Sequence, residues 1–542
     1  MASAVPFGAM DDPAEPLDPL APFRWHPEPE LIGIRDASTS RAALARAGEA
    51  TWQASLDWLY DEAMVRGMGL PTGYAELRRR YFGDAARPGP APQDPTTLDA
   101  VLEEFSRRIA PHTLNSYHPR SLSYFTPPPL VASIAGEVLG QWTNQGVDVW
   151  HAGPVGAFVE EEVVHWLCDL VGYGPGSFGL CTSGGVMANF IAMALVRDVH
   201  LRRLAGLPRP PRGGALEGVR VYTGDQTHFS IARALDELGF PADTLVVLPT
   251  DDAFRLHAEP VAEAIAADRA RGLRPVAVCA VAGSTNTGSV DLVPELAALA
   301  AREGLWFHAD AAYGGAARLS ARDASRVPGL ELADSVTIDP HKWFFQAYDL
   351  GALVVRDGDH LRQTFDRSPE YYRGGEVAMP AASSAGAAEG RDAHAGQLNF
   401  YKLGFEGSRR FRALKLWTSW KHLGTAGLGR LVEMNDDVAA YLAARCAEAD
   451  DFEARPGVPD LSVVCFRHLP GGAVAAAAMD PRALDDHQDR LCAALEQDGD
   501  GWLSTTVLRG RAHLRAGVVN YLTTEADVDR LLATLRRLAA VL

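Results

Sequence analysis

The sequence predicts an α/β protein: a mostly parallel sheet with helices on both faces, a helical segment before it and a smaller α+β domain after it. Three observations predict this. Between about residues 130 and 412, short apolar runs of strand length alternate with longer stretches of helical spacing. The runs are VRVYT, TLVVLP, PVAVCAVAG, LWFHADAA, DSVTID and GALVVRD, and helical stretches such as GAFVEEEVVHWLCDLVG separate them. After residue 413 the rhythm changes to long helix, then strand, then a last helix.

The elements follow in order. Residues 1–35 are rich in proline and acids and read as an extended arm. Residues 40–82 carry apolar positions at helical spacing. The run ARPGPAPQDP, 86–95, is a proline-rich connection, and TTLDAVLEEFSRRIA is a further helix. The segment 378–396, AMPAASSAGAAEGRDAHAG, has little to bury and is expected to be a mobile loop. The chain turns helical from GSRRFRALKLWTSW. It closes on LRAGVVNYLTTEADVDRLLATLRRLAAVL, a strand and a helix capped by Thr523 or Thr524. The expected division is 1–130 for the arm and helical segment, 131–412 for the large domain and 413–542 for the small one.

Composition narrows the function. The 542 residues are 47% hydrophobic, enough for a large core. The formal net charge of −18 would repel nucleic acid and anionic membranes, so neither is an expected partner. No apolar run is long enough to span a membrane, and MASAVPFGAMDDPAEPLDPLAPF lacks the basic start and apolar core of a secretory signal. The six cysteines are scattered without a CxxC pair, which points to a reducing, cytoplasmic compartment. No metal site is read, and no internal repeat is found.

In open α/β sheets ligands bind at the carboxyl ends of the strands, so chemistry is sought there. In LWFHADAAYGG, strand alternation puts His308, Asp310 and Ala312 on one face. An acid in an apolar sheet needs a partner, either the protonated ring nitrogen of a cofactor or the backbone of the following turn. In CTSGGVMANF, Ser183, Gly184 and Gly185 open a helix whose free N–H groups suit a phosphate, although the same residues also make a plain turn and cap. In VYTGDQTHFS, His228 follows a strand and presents a flat imidazole, either for stacking or as a structural ring. The strand end VAGSTNTGSVD brings hydroxyls, Thr285 among them, for a ring substituent, a phosphate or a turn. In DPHKWFFQAYD, Lys342 sits among Trp343, Phe344 and Phe345. An apolar cleft would push its amine toward the neutral, nucleophilic form; the ordinary alternative is a surface lysine with a buried stem.

An aldehyde anchor, an acid for a pyridine nitrogen, a phosphate cradle and a stacking ring together describe a pyridoxal 5′-phosphate site. With D-P-H-K-W, H-A-D-A-A-Y and GSRRFRALKLW in this order, the chain resembles the group II pyridoxal-phosphate decarboxylases. That family includes the aromatic-L-amino-acid, histidine, glutamate and 2,4-diaminobutyrate enzymes. The resemblance runs from about residue 100 to 430, with an echo at NYLTTEADVDRLL.

The resemblance implies fold type I, with a mostly parallel seven-stranded sheet. It implies Lys342 as the Schiff-base lysine, Asp310 on the ring nitrogen and His228 stacked on the ring. Ser183, Gly184 and Gly185 would hold the phosphate, with His341, Thr285 and Ala312 also at the cofactor. Tyr371, in RSPEYYRGG, would protonate the product carbon, with Tyr372 as its neighbour and rival. Family relatives that form aldehydes replace this tyrosine by phenylalanine or the histidine by asparagine; both residues are present here. The family works as a homodimer, with a lid loop reaching across the interface.

For the substrate, HPRSLSYFTPPPL and NQGVDVWHAGP match pocket-lining regions. Tyr124, Phe125 and Trp150 favour an aromatic or apolar side chain. Asp148 is either a partner for a cationic side chain or a structural acid satisfied by backbone, and NQxxDxW resembles the glutamate and 2,4-diaminobutyrate branch more than the aromatic one. The expected reaction is α-decarboxylation of an L-amino acid, with the aromatic class slightly ahead. A fold-type I aminotransferase and a catalytically dead homologue are the rivals.

Overall fold

The computed structural model describes residues 40–63, 67–68, 73–83, 87, 89–367 and 397–542. The arm at 1–35, the segment 378–396 and Tyr371 with Tyr372 lie outside the described residues. The chain divides into two compact units, Met1–Ser121 with Ala493–Trp502, and Leu122–Cys492 with Leu503–Leu542.

The first unit is helical. Helix α1 (Ser40–Asp57) runs on into a wider turn, Trp58–Ala63, and α2 covers Tyr74–Phe82. The single stretch expected over 40–82 is thus two helices, the second closed by Gly83 at φ 66°. Helix α3 (Leu98–Glu104) starts at Thr97, whose hydroxyl accepts the Ala100 N–H and satisfies one of the free donors at the helix start. Arg120 pairs with Asp500 at 2.8 Å inside this unit.

The second unit is built on a seven-stranded sheet. The strands are β1 (Phe178–Thr182), β2 (Val219–Gly224), β3 (Leu245–Leu248), β4 (Arg274–Val281), β5 (Trp306–Asp310), β6 (Ser335–Ile338) and β7 (Gly351–Val355). Their order across the sheet is β1-β7-β6-β5-β4-β2-β3. Six strands share one direction, and β7 alone runs against both its neighbours, β1 and β6. β1 was absent from the strands expected from alternation alone. Its five residues, FGLCT, run directly into a glycine turn and leave no apolar alternation to detect.

Strand β4 shows why the sheet is covered on both sides. Ala277 and Cys279 enter one apolar cluster with Leu180, Ile191, Val221 and Leu353. Val278 and Ala280 enter another with Val163, Leu167 and Phe307. Period-2 alternation delivers both faces of one strand to separate cores. Helices α4 (Val131–Thr143) and α5 (Pro154–Val171) both pack on α10 (Ala413–Glu448), a long element broken at Gly424, φ 64°. Between them in sequence lie α6 (Gly185–Leu195), α7 (Ser230–Glu237), α8 (Ala258–Ala270) and α9 (Val293–Glu303).

After α10 a four-stranded antiparallel sheet forms, from β8 (Phe452–Ala454), β9 (Val463–His468), β10 (Ser504–Leu508) and β11 (Arg511–Gly517), in the order β10-β11-β9-β8. Helix α11 (Glu525–Ala539) opens on a capping box in which Thr524 and Asp527 satisfy each other's backbone N–H. No described helix is long and apolar enough to cross a membrane.

Candidate active site

Because six strands run in parallel, the carboxyl ends of β1, β2, β4, β5 and β6 open on one edge. Each expected cofactor residue lies just beyond such an end. The resulting cavity, of about 360 Å³, is lined by Ser183, Gly184, Gly185, His228, Thr285, Asp310, Ala312, His341 and Lys342, the whole expected cofactor set.

The phosphate cradle is the β1–α6 turn. Gly184 has φ 155°, outside the range ordinary side chains favour, and a Cβ there would lie 3.1 Å from the His341 ring. A Cβ on Gly185 would come within 2.8 Å of Asp339 and 3.3 Å of Ala312. Only glycine lets the start of α6 approach the ends of β5 and β6 this closely. Ser183 stands exposed at the turn. The eleven-residue helix behind it directs its N-terminal dipole into the cavity.

Lys342 is placed as expected, but its surroundings are not. Trp343, Phe344 and Phe345 all turn into the core and are at most 1% exposed. The amine itself faces Asp339, with Nζ 3.0 Å from Oδ2, and its side chain is 20% exposed. The expected apolar ring therefore does not enclose the amine; an ion pair holds it. Asp339 is the residue before the proline of the lysine motif, and its other oxygen, Oδ1, has no hydrogen-bond partner. His341 Nε2 lies 3.8 Å from Asp339 and its Nδ1 accepts the Leu350 N–H at 3.1 Å. Burial pulls the His341 pKa down.

Asp310 ends β5 with both oxygens engaged: Oδ1 accepts the Ala312 N–H at 3.1 Å and Oδ2 accepts from the Asn189 amide at 2.8 Å. The turn-capping and ring-binding readings of this acid are thus compatible, since each oxygen retains accepting capacity. His228 lies half-buried beside Phe229, ring centres 4.2 Å apart, with Nδ1 2.8 Å from Ser230 Oγ. Burial is the leading cause that lowers its pKa, so the ring is held toward the neutral form.

The four expected substrate residues separate. Phe125 is buried and stacks on Tyr313 at 4.3 Å, which in turn stacks on Trp343 at 4.9 Å. Tyr124 is 59% exposed, and neither it nor Phe125 lines the cavity, which Phe125 reaches only through Tyr313. Asp148 and Trp150 are not brought to it either. Asp148 lines a different cleft with Glu137, Arg410 and Arg412, and the Trp150 backbone is held by Asn399. The stretch NQGVDVW leads into the α5 start, away from this cavity's strand ends.

Sequence reasoning missed two residues here: Asn189, which lines the cavity, and Arg515, which lies behind it against Phe125. Asn189, on α6, joins Asp310. Arg515, on β11, is buried; its Nε donates to the Thr285 and Asn286 carbonyls and Nη1 to the Ser123 carbonyl at 2.6 Å. Its Cζ lies 4.9 Å from the Phe125 ring. No hydrogen bond reaches its Nη2, and among the described residues no carboxylate pairs with it. Its sequence signal was an arginine inside an apolar strand, HLRAGVV, where a charge is costly unless it is used.

A cavity with a lysine amine, a glycine cradle at a helix start, a carboxylate at a strand end and an adjacent imidazole fits pyridoxal 5′-phosphate. Comparison with known proteins agrees. The family model described as the pyridoxal-dependent decarboxylase conserved domain matches residues 84–469. The aromatic-L-amino-acid decarboxylase of Bacillus atrophaeus is 31% identical over 83% of this chain and 87% of its own length. The L-2,4-diaminobutyrate decarboxylase of Rhizobium meliloti is 32% identical over 82% of each chain. The crystal structure of Oryza sativa TDC with PLP and tryptamine superposes with a TM-score of 0.79 at 26% identity, covering 94% of this chain and 99% of that one. The chain therefore belongs to the pyridoxal-dependent decarboxylase family, as a pyridoxal-phosphate-dependent amino-acid carboxy-lyase.

Proposed function

We propose that the enzyme removes the α-carboxyl group of an L-amino acid with an aromatic or apolar side chain, releasing the amine and carbon dioxide. One observation carries this reading. Phe125 lies near both the expected cofactor lysine and a guanidinium with no partner at Nη2, with Lys342 Nζ 5.9 Å and Arg515 Cζ 4.9 Å from its ring. Such a wall suits a substrate that is anionic at one end and aromatic elsewhere.

When bound, pyridoxal phosphate supplies an electron sink conjugated to the substrate's α-carbon. Lys342 would hold its aldehyde carbon, the Ser183–Gly185 turn its phosphate and Asp310 its ring nitrogen, with His228 against the ring. Asp310, whose oxygens keep accepting capacity, would accept a hydrogen bond from the protonated ring nitrogen. Asp339 orients the Lys342 amine through the ion pair. Arg515 Nη2 binds the substrate carboxylate, and the Phe125–Tyr313 stack bounds the side chain. Tyr371 donates the proton that replaces the carboxylate, a role drawn from the family resemblance.

The second reading, a polar or cationic substrate, draws on the Rhizobium meliloti relative. It needs an uncommitted acid for a cationic side chain. Of the carboxylates that line the cavity, Asp310 is engaged through both oxygens, while Asp339 holds Lys342 through Oδ2 and keeps Oδ1 without a partner, which is the observation that favours this reading.

The test is a panel of the twenty amino acids and 2,4-diaminobutyrate, given to the reconstituted protein without a keto acid, with amines read by mass spectrometry. Amine from tryptophan, tyrosine or phenylalanine is expected; amine from 2,4-diaminobutyrate or glutamate alone would overturn the aromatic assignment. In the same assay Lys342→Ala should lose the cofactor's visible band, and Tyr371→Phe should keep the band while losing amine.

We also propose a homodimer, with each protomer's lid closing over its partner's site. Supporting it, α4 exposes Val131, Leu139 and Trp142, and α5 exposes Val155 and Phe158. Apolar surface of this kind on two helices marks an interaction face. Sedimentation equilibrium showing only monomer at micromolar concentration would remove this proposal.

A further inference from the structure

His228 and Asp310 follow different strands, yet one buried amide joins them. Asn189 is 1% exposed. Its Nδ2 donates to Asp310 Oδ2 at 2.8 Å and to Ser230 Oγ at 2.8 Å. Its Oδ1 lies 2.7 Å from Thr337 Oγ1 and 3.0 Å from His308 Nε2. All four hydrogen-bonding positions of the amide are used.

Chemistry leaves this network one orientation. A carboxylate only accepts, so the amide nitrogen must face Asp310 and the oxygen must face away. Thr337 and His308 Nε2–H then donate to Oδ1. His308 Nδ1 accepts from Ser335 Oγ at 2.9 Å, and that oxygen accepts the Trp306 indole N–H at 3.0 Å. At the other end, Ser230 Oγ accepts from Asn189 and passes its single proton to His228 Nδ1 at 2.8 Å. The Ser230 backbone N–H also points at Nδ1, at 3.3 Å, where a second hydrogen would clash. His228 Nδ1 is therefore an acceptor, and the ring proton sits on Nε2.

We propose that Asn189 is a positioning residue that sets two features of the site at once: the orientation of the Asp310 carboxylate and, through Ser230, the His228 tautomer with its proton on Nε2. The inference rests on the reading that these two residues serve the bound cofactor. An amide suits the position because it alone among short side chains presents two donors on one side and an acceptor on the other. The charged groups facing His228 are Asp310, Lys342, Asp339 and Arg233, and burial outweighs them in lowering its proton affinity. Ser230's proton on Nδ1 acts in the same direction, since it stabilises the neutral ring.

The test uses the full chain labelled with 15N-histidine, with and without pyridoxal 5′-phosphate, and His228→Gln to assign the signal. The wild type should show Nδ1 unprotonated and Nε2 protonated. Ser230→Ala should produce a tautomer mixture and move the acid limb of log(kcat/KM) upward by up to about one pH unit, the size of one neutral hydrogen bond. It should leave unchanged the pH at which the cofactor band titrates. Asn189→Ala should alter the tautomer, shift that band's titration and weaken cofactor binding on the order of tenfold, as for a lost bond to a charged group. Should Asn189→Ala fail to fold, Asn189→Ser decides the matter, because its single hydroxyl proton cannot serve both Asp310 and Ser230. Wild-type tautomer and wild-type band titration in either Asn189 variant would overturn the proposal, as would an Nδ1–H His228 in the wild type. The tautomer is read without cofactor or substrate. A protein with Nε2–H His228 and no decarboxylation would therefore retain this inference and sink the reading beneath it, while an active enzyme with Nδ1–H His228 would do the reverse.

Discussion

On the proposed function, Arg515 is the residue that would receive the substrate carboxylate. A buried guanidinium whose Nη2 meets no acceptor is costly, and an incoming carboxylate removes that cost. Arg515→Met should therefore lower kcat/KM on the order of 10- to 100-fold, the worth of a hydrogen bond to a charged group, while the cofactor's visible band persists. Steady-state kinetics beside an absorbance spectrum checks this, and unchanged kcat/KM would remove Arg515 from the site. The residues legible in sequence were those on distinctive short motifs: Lys342, Asp310, His228 and the 183–185 turn. Arg515 and Asn189 were not legible, because each acts on partners distant in the chain: Thr285 lies 230 positions from Arg515, and Ser230 and Asp310 lie 41 and 121 positions from Asn189. Asp148 misled for the converse reason. Its motif is local, but where an acid on a loop points is decided by what packs around it.

At the scale of elements, close backbone approach explains several glycines. Gly136 on α4 faces α10, and a Cβ there would lie 2.6 Å from the Lys415 Cα and 2.5 Å from the Thr418 hydroxyl. Gly136→Ala should force the two helices apart and cost about 1–3 kcal/mol, as overpacking generally does. A fall in the urea midpoint checks it, and an unchanged midpoint would show that α4 can shift freely. The strands were readable from apolar runs and turn residues, but their directions were not. β7 carries the same apolar signal as β6 and runs against it, because direction is set by the connection across the site, which includes the Lys342 turn. The capping box of α11 was readable because a cap is a contact between residues three apart.

For the molecule as a whole, burial of neutral histidines predicts acid lability. His200, His308, His468 and His513 are each held to a pKa of about 4 by burial, below the ordinary 6.5. Unfolded chains bind these protons more readily, so the contribution of these four groups is complete above about pH 6.5 and falls as pH drops toward 4, by roughly 3 kcal/mol per group at full effect. Asp291 and Asp436 offset this in part, because burial pushes them up to about 7 and about 8 and they therefore favour the fold as pH falls. Urea midpoints at pH 7.5 and 5 should differ accordingly, and His308→Gln, which keeps a donor for Asn189, should flatten part of the difference. A midpoint unchanged over that range would contradict the burial account. The sequence by itself determined the fold class and the cofactor chemistry, and it singled out the lysine, acid, histidine and glycine turn that the structure gathers around one cavity, since these depend on periodicity and on residues close together in the chain. Only the tertiary structure decided which acid meets the lysine, which arginine is left unpaired and which amide links Asp310 to His228. Those contacts arise where parallel strands bring their ends to one edge, and distances across a sheet are not written in any local stretch of sequence.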